Sequence, residues 1–357
     1  MKALKSSTLR SVTTTTPAPT ADAVDAGAPA DREVPTRRIS FEEALQTVPK
    51  HFAVDGDLLL SHLAASLSAV FPDGEDFFVR SVRHYRNEIT DPELKRQVAG
   101  FIGQEAVHGR EHRAFNDRLA ELGYPTKVFE RITEKGLTFR ERHLSPQANL
   151  ALTAALEHFT ATLAELLLTS EEVRAQFGHD EVRNLFVWHA LEESEHKAVA
   201  FDVYRAVGGS ERTRVLTMKY IRIGFLAGMA LQIAFSLAKD PATYKRGNLR
   251  RSWRRFRSSP LMSKELWRQL KDYDRPDFHP DDRDTTALVE EWRGAPLCPA
   301  GAPVRPAGSP RCPCASRPGP AWSTSAAPSR SRSCTAAATP WLAPWPSSAS
   351  ARATAWR

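Results

Sequence analysis

The chain has 357 residues, 41% hydrophobic and 25% charged, with a formal net charge of +7. The excess charge is confined to residues 294–357, which hold seven Arg, no Lys and no acid, so residues 1–293 are neutral overall and a nucleic-acid partner is not expected. All four cysteines (Cys298, Cys312, Cys314, Cys334) lie in the same stretch, which leaves the body without a disulfide framework or a thiolate metal site.

In chain order, residues 1–37 are low in complexity ("SVTTTTPAPTADAVDAGAPADREVPT") and carry no apolar run of secretory-signal length, so a disordered segment is expected. Residues 38–240 read as helices, with apolar residues recurring at three and four. "SFEEALQTVPKHF" opens with Ser40 as a cap candidate, and "DGDLLLSHLAASLSAVF" and "FPDGEDFFVRSVRHYRNEI" follow. A long helix begins at Asp91-Pro92 and stops at Gly123; another begins at Ser145-Pro146; a third runs from His179 to Gly208-Gly209. Residues 223–238 ("IGFLAGMALQIAFSLA") are apolar but shorter than the ~20 residues that span a bilayer. "YKRGNLRRSWRRFR" then places seven cations and no acid in fourteen residues, and residues 241–293 read as a basic linker followed by C-terminal helices. An apolar helix with a basic flank suits peripheral contact with the inner, anionic face of a membrane; a buried helix beside a solvated linker is the competing expectation. Residues 294–357 are rich in Ala, Pro, Ser and Arg without periodicity, the composition of a disordered tail or of a shifted reading frame.

Two short stretches carry the chemistry. In "FIGQEAVHGREH", Glu105, His108 and His112 share one helical face, and in "WHALEESEHKAVAFDVY", His189, Glu193 and His196 repeat the set in reverse order. One Glu-x-x-His is weak; two on separate long helices suggest a dimetal carboxylate site, in which two further helices each add a Glu. Glu75 lies 30 residues before Glu105, and Glu157 lies 36 before Glu193. The expected fold is therefore all-α, a ferritin-like four-helix bundle of two hairpins joined by a crossover, with extra C-terminal helices. The expected ligands, and catalytic groups, are Glu75, Glu105, His108, Glu157, Glu193 and His196. Four carboxylates offset the repulsion between two divalent ions, and oxygen and nitrogen donors suit iron or manganese. Gln104, His112, His158, His189 and Glu192 are candidates for supporting roles or alternative ligation, Glu195 is expected to face away, and Asp202 is a candidate partner for a ligating imidazole.

"FPDGEDFF", "FIGQEAVHGREH", "LTAALEHFTA" and "WHALEESEHKAVAFDVY" together resemble a bacterial family of predicted metal-dependent hydrolases, and "DYDRPDFHPDDRD" (272–284) is similar to that family's C-terminal signature. The resemblance covers roughly 38–293. It implies a metal-dependent enzyme with a ferritin-like core, soluble or membrane-associated. The Glu-rich ligand set stabilises higher oxidation states, so O2-dependent oxidation of a hydrophobic small molecule, supplied by an electron donor, is the favoured expectation. Hydrolysis of an ester or amide by metal-activated water, and metal storage, are the alternatives. The expected location is the cytoplasm, including the inner face of its membrane.

Overall fold

A computed structural model describes residues 32–294, and these residues form helices and no strands. The expected signals set the helix ends. Asp91 accepts from the backbone N–H groups of Glu93 and Leu94 and starts the helix Pro92–Glu121 (α4), with Pro92 at its first position. Ser145 accepts from the N–H of Ala148 and starts the helix Pro146–Thr169 (α6) in the same way. Gly123 ends the α4 turn with φ +90°, a conformation that costs glycine little and any other residue more.

The helices in order are α1 (Glu42–Leu45), α2 (Leu58–Ser68), α3 (Phe71–His84), α4 (Pro92–Glu121), α5 (Thr126–His143), α6 (Pro146–Thr169), α7 (Glu171–Ala175), α8 (Asp180–His196), α9 (Val199–Ala206), α10 (Glu211–Ala238), α11 (Asn248–Ser258), α12 (Lys264–Asp272) and α13 (Thr286–Gly294). Helices α3, α4, α8 and α6 form a closed ring, each packed on the next. Two apolar clusters lie along them. One holds Phe77, Phe101, Leu152, Phe159 and Val199; the other holds Phe115, Leu167, Leu185 and Trp188. On α4 and α8 the Glu-x-x-His positions fall between members of the two clusters, so the polar groups sit where the ring is closed off from water at both ends.

Three expectations change. The expected helix 179–209 breaks after His196: α8 ends there, α9 begins at Val199, and the Lys197 side chain donates to the carbonyl of Arg283. Residues 241–293 do not open as a linker, because the basic stretch is itself helix α11. Residues 32–37 belong to the fold: Val34 and Thr36 lie so close to α4 that a Cβ at Gly100 would strike the Val34 carbonyl and one at Gly103 the Thr36 hydroxyl. In the 272–284 segment, Tyr273 and Phe278 are buried against Phe201, and Arg214 of α10 donates to the carbonyls of Tyr273 and Arg275. The tail expected at 294–357 and the N-terminal residues before 32 lie outside the described residues, apart from Gly294.

Candidate metal centre

Each wall of the ring contributes. Glu75 comes from α3, Glu105 and His108 from α4, Glu157 from α6, Glu193 and His196 from α8. All six are at most 3% exposed. His196 Nε2 lies 3.1 Å from Glu105 Oε1, 3.4 Å from Glu157 Oε2 and 3.5 Å from Glu193 Oε1. His108 Nδ1 lies 3.7 Å from both Glu105 Oε1 and Glu193 Oε1. The helical spacings bring Glu105 and His108, and Glu193 and His196, to one face because positions three apart are neighbours.

The hydrogen bonding separates donors from supports. Both carboxylate oxygens of Glu75, Glu105 and Glu157, Oε2 of Glu193, Nδ1 of His108 and Nε2 of His196 are buried with no hydrogen-bond partner among the described residues. Buried polar atoms left unpaired are costly, and nine of them aimed at one region call for a ligand that accepts lone pairs. Both imidazoles are anchored on their far side. His196 Nδ1–H donates to Gln104 Oε1 at 2.8 Å, and His108 Nε2–H donates to Glu192 Oε2 at 3.0 Å. That fixes each tautomer so that a lone pair points inward, the usual support of a metal-ligating histidine. The rings also rest edge-on against Phe101 and Trp188, with centroids 5.0 Å away.

The charges make the same case. Burial, and then the neighbouring Glu105, push Glu75 well above the ordinary carboxylate range. Burial, and then Glu193, raise Glu157 to about 8. Burial would raise Glu193 too, but His196 and His189 hold it well below. Burial likewise opposes the protonation of His196, yet the surrounding carboxylates raise it well above its usual value. Four carboxylates this close cannot all be ionised without bringing in positive charge. Divalent cations would replace the protons that the cluster otherwise holds. Glu105, His108 and Glu193 form one group whose donor atoms lie within 4.8 Å of one another, and Glu105, Glu157 and His196 form a second. Glu105 belongs to both, as a bridging ligand would. The residues present fit a metal.

The supporting candidates divide. Gln104 and Glu192 hold the His196 and His108 imidazoles, and Trp188 Nε1–H adds a bond to Glu192 at 3.1 Å. His189 Nε2–H donates to Glu193 Oε1 at 3.0 Å, and its Nδ1 accepts from His112 Nε2–H at 2.7 Å. Burial keeps both of these imidazoles below their usual value, His112 well below. His158 turns away and bonds the carbonyl of Gln269, so it does not orient the cluster. Asp202 pairs with His279 at 2.7 Å rather than with a ligating imidazole. Glu195 does point away from the donors, but into a buried network: it accepts from Gln104 Nε2 at 2.7 Å, from Arg37, and from Arg293 at 2.6 Å. Arg37, Trp188 and Arg293 went unnoticed in the sequence. Arg37 and Arg293 reach Glu195 from 158 and 98 residues away, a separation that no local spacing reports.

A cavity of about 570 Å³ reaches the cluster at His189 and Glu193. Its walls are mainly apolar, with Leu63, Leu67, Phe78, Leu156 and Phe225 among them. The structure thus defines an all-helical protein with a buried carboxylate–histidine cluster open to an apolar cavity. The chain belongs to the predicted metal-dependent hydrolase family, whose model matches residues 35–284. No curated protein and no solved structure matches it.

Proposed function

We propose that Glu75, Glu105, His108, Glu157, Glu193 and His196 hold two divalent ions, iron or manganese, and that the protein oxidises a lipophilic small molecule seated in the cavity. The carrying observation is the set of unpaired donor atoms, four carboxylates to two imidazoles, beside an apolar chamber. Such a pair of ions would supply activation of O2 when iron is bound, and polarisation of water and a carbonyl group when a redox-inert metal is bound. The chain supplies the rest. Gln104 and Glu192 fix the imidazoles, Glu105 spans the two donor groups, and the leucines and phenylalanines of the chamber exclude water and press an apolar substrate toward Glu193 and His189. A chamber with so few polar groups is a poor host for the charged transition state of acyl transfer.

The family description favours a second reading, hydrolysis, and an ester or amide is the bond we propose for it in the same site. The two separate cleanly. Under strict anaerobiosis the Fe(II)-loaded chain is prepared and then given O2, and Zn(II)- and Mn(II)-loaded chains are given esters and amides. Rapid O2 uptake without ester turnover is expected; efficient anaerobic hydrolysis, with an Fe(II) form inert to O2, would establish the hydrolase.

A further inference from the structure

Helix α10 is long and apolar enough to cross a membrane, as is α6, but α6 is mainly buried whereas only 17% of the apolar window of α10 is buried. It cannot span as it stands. One face packs on α2 and α6, Arg214 is buried, and Arg222 bonds Asp274 at 2.5 Å and the carbonyl of Leu270. The other face presents Tyr220, Ile223 and Leu231 at 67%, 75% and 72% exposure. An apolar face of this kind on a soluble domain marks an interaction surface.

Helix α11 indicates the partner. Lys245, Arg246, Arg250, Arg254 and Arg257 lie on or just before it and make no ion pair among the described residues. On the same helix Leu249 and Trp253 are exposed, 40% and 51%. Unpaired cations interleaved with an exposed Leu and Trp are the composition of a helix that lies in the headgroup region of an anionic bilayer. The cavity joins the two elements: Tyr220 and Gly228 of α10 line it, as do Phe256 of α11 and the exposed Met262 beyond it.

We infer that α10 and α11 dock on an anionic lipid surface and that the cavity takes a long-chain lipophile from that bilayer. Docking stands on the surface alone; the use made of the lipophile rests on the proposed metal centre.

The test uses the full, metal-loaded chain. It should co-sediment with phosphatidylcholine vesicles containing phosphatidylglycerol, weakly with phosphatidylcholine alone, and less as salt rises. Arg250→Ala with Arg254→Ala should weaken binding by about 30-fold, and Ile223→Asp with Leu231→Asp should abolish it, with helicity and metal content unchanged. After incubation with anionic vesicles carrying radiolabelled palmitate and release by high salt, the chain should retain label in stoichiometric amount. Gly228→Leu, at a position where a side chain meets open space in the cavity wall, should bind vesicles but retain no label. A chain with intact metal content that ignores both vesicles would overturn the inference and leave the metal reading standing. Vesicle binding by a chain that takes up no metal would do the reverse. Self-association lost in the Ile223/Leu231 variant, or binding to duplex DNA, in either case without vesicle binding, would make the face a dimer or nucleic-acid surface and overturn it. Equal label on both chains, or on neither, would overturn the cavity's part.

Discussion

Gln104 shows how far a neutral side chain can set the chemistry of a buried cluster. Its carbonyl takes the Nδ1–H of His196 and its amide donates to Glu195, so it locks the ring with the Nε2 lone pair inward. Gln104→Leu removes these two bonds and the amide's third, to the carbonyl of Pro35, with little change in volume. Metal affinity should fall by ~10–100-fold while saturating stoichiometry is kept; competition with a chelator reads this, and unchanged affinity would deny Gln104 its positioning role. A titratable group lies outside the cluster. His62 is buried in α2, donating from Nε2 to Asp240 at 3.1 Å and accepting from Ser236 at Nδ1. Burial lowers its pKa from 6.5 to about 4. Because the folded value is depressed, the unfolded chain binds the proton first. The contribution is full above 6.5 and is lost as pH falls toward 4. Stability should drop by about 2 kcal/mol between roughly pH 7 and pH 5 from this group. Urea unfolding at the two pH values checks it: His62→Gln should show a smaller drop than the parent chain, and an equal drop would exclude His62.

At the scale of the helices, legibility followed periodicity. Glu75, Glu105, His108, Glu157, Glu193 and His196 could be picked out because ligand spacing on a helix is a local property of the sequence, and the structure brings all six together. The break after His196 could not, since Lys197-Ala198 contains neither Gly nor Pro, and the bond from Lys197 to the carbonyl of Arg283 comes from 86 residues on. The partner of Asp202 is hidden for the same reason: His279 arrives on the 272–284 segment. Arg37 and Arg293 were hidden because nothing about an isolated arginine in sequence reveals a buried carboxylate waiting for it. Helix α10 carries a prediction of its own. Gly228→Leu replaces the poorest helix former after proline and meets no obstruction, so it should stabilise the chain by up to about 1 kcal/mol while narrowing the cavity. Thermal unfolding together with metal content checks this; destabilisation would mean that the cavity wall is too tight for the added side chain.

For the molecule as a whole, the C-terminal elements act as clamps on the ring that holds the cluster. The family match ends at residue 284, yet α13 beyond it packs on α8 and α6, and Arg293 donates to the buried Glu195 at 2.6 Å. Truncation after Gly294 should therefore preserve folding and metal content. Truncation after Asp284 should lower stability by ~1–3 kcal/mol, since it strips a buried carboxylate of one charged partner. Circular dichroism and denaturant unfolding of both chains would show it, and equal stability would mean that α13 contributes nothing.

Whether the six buried side chains hold a pair of metals is read by anaerobic Fe(II) titration with elemental analysis. The full chain should take up about two ions, the number that a four-Glu, two-His helical set holds. Glu105→Ala and His196→Ala should each lose metal while remaining helical by circular dichroism. A single zinc per chain with no iron or manganese bound, or unchanged uptake in both variants, would contradict the account.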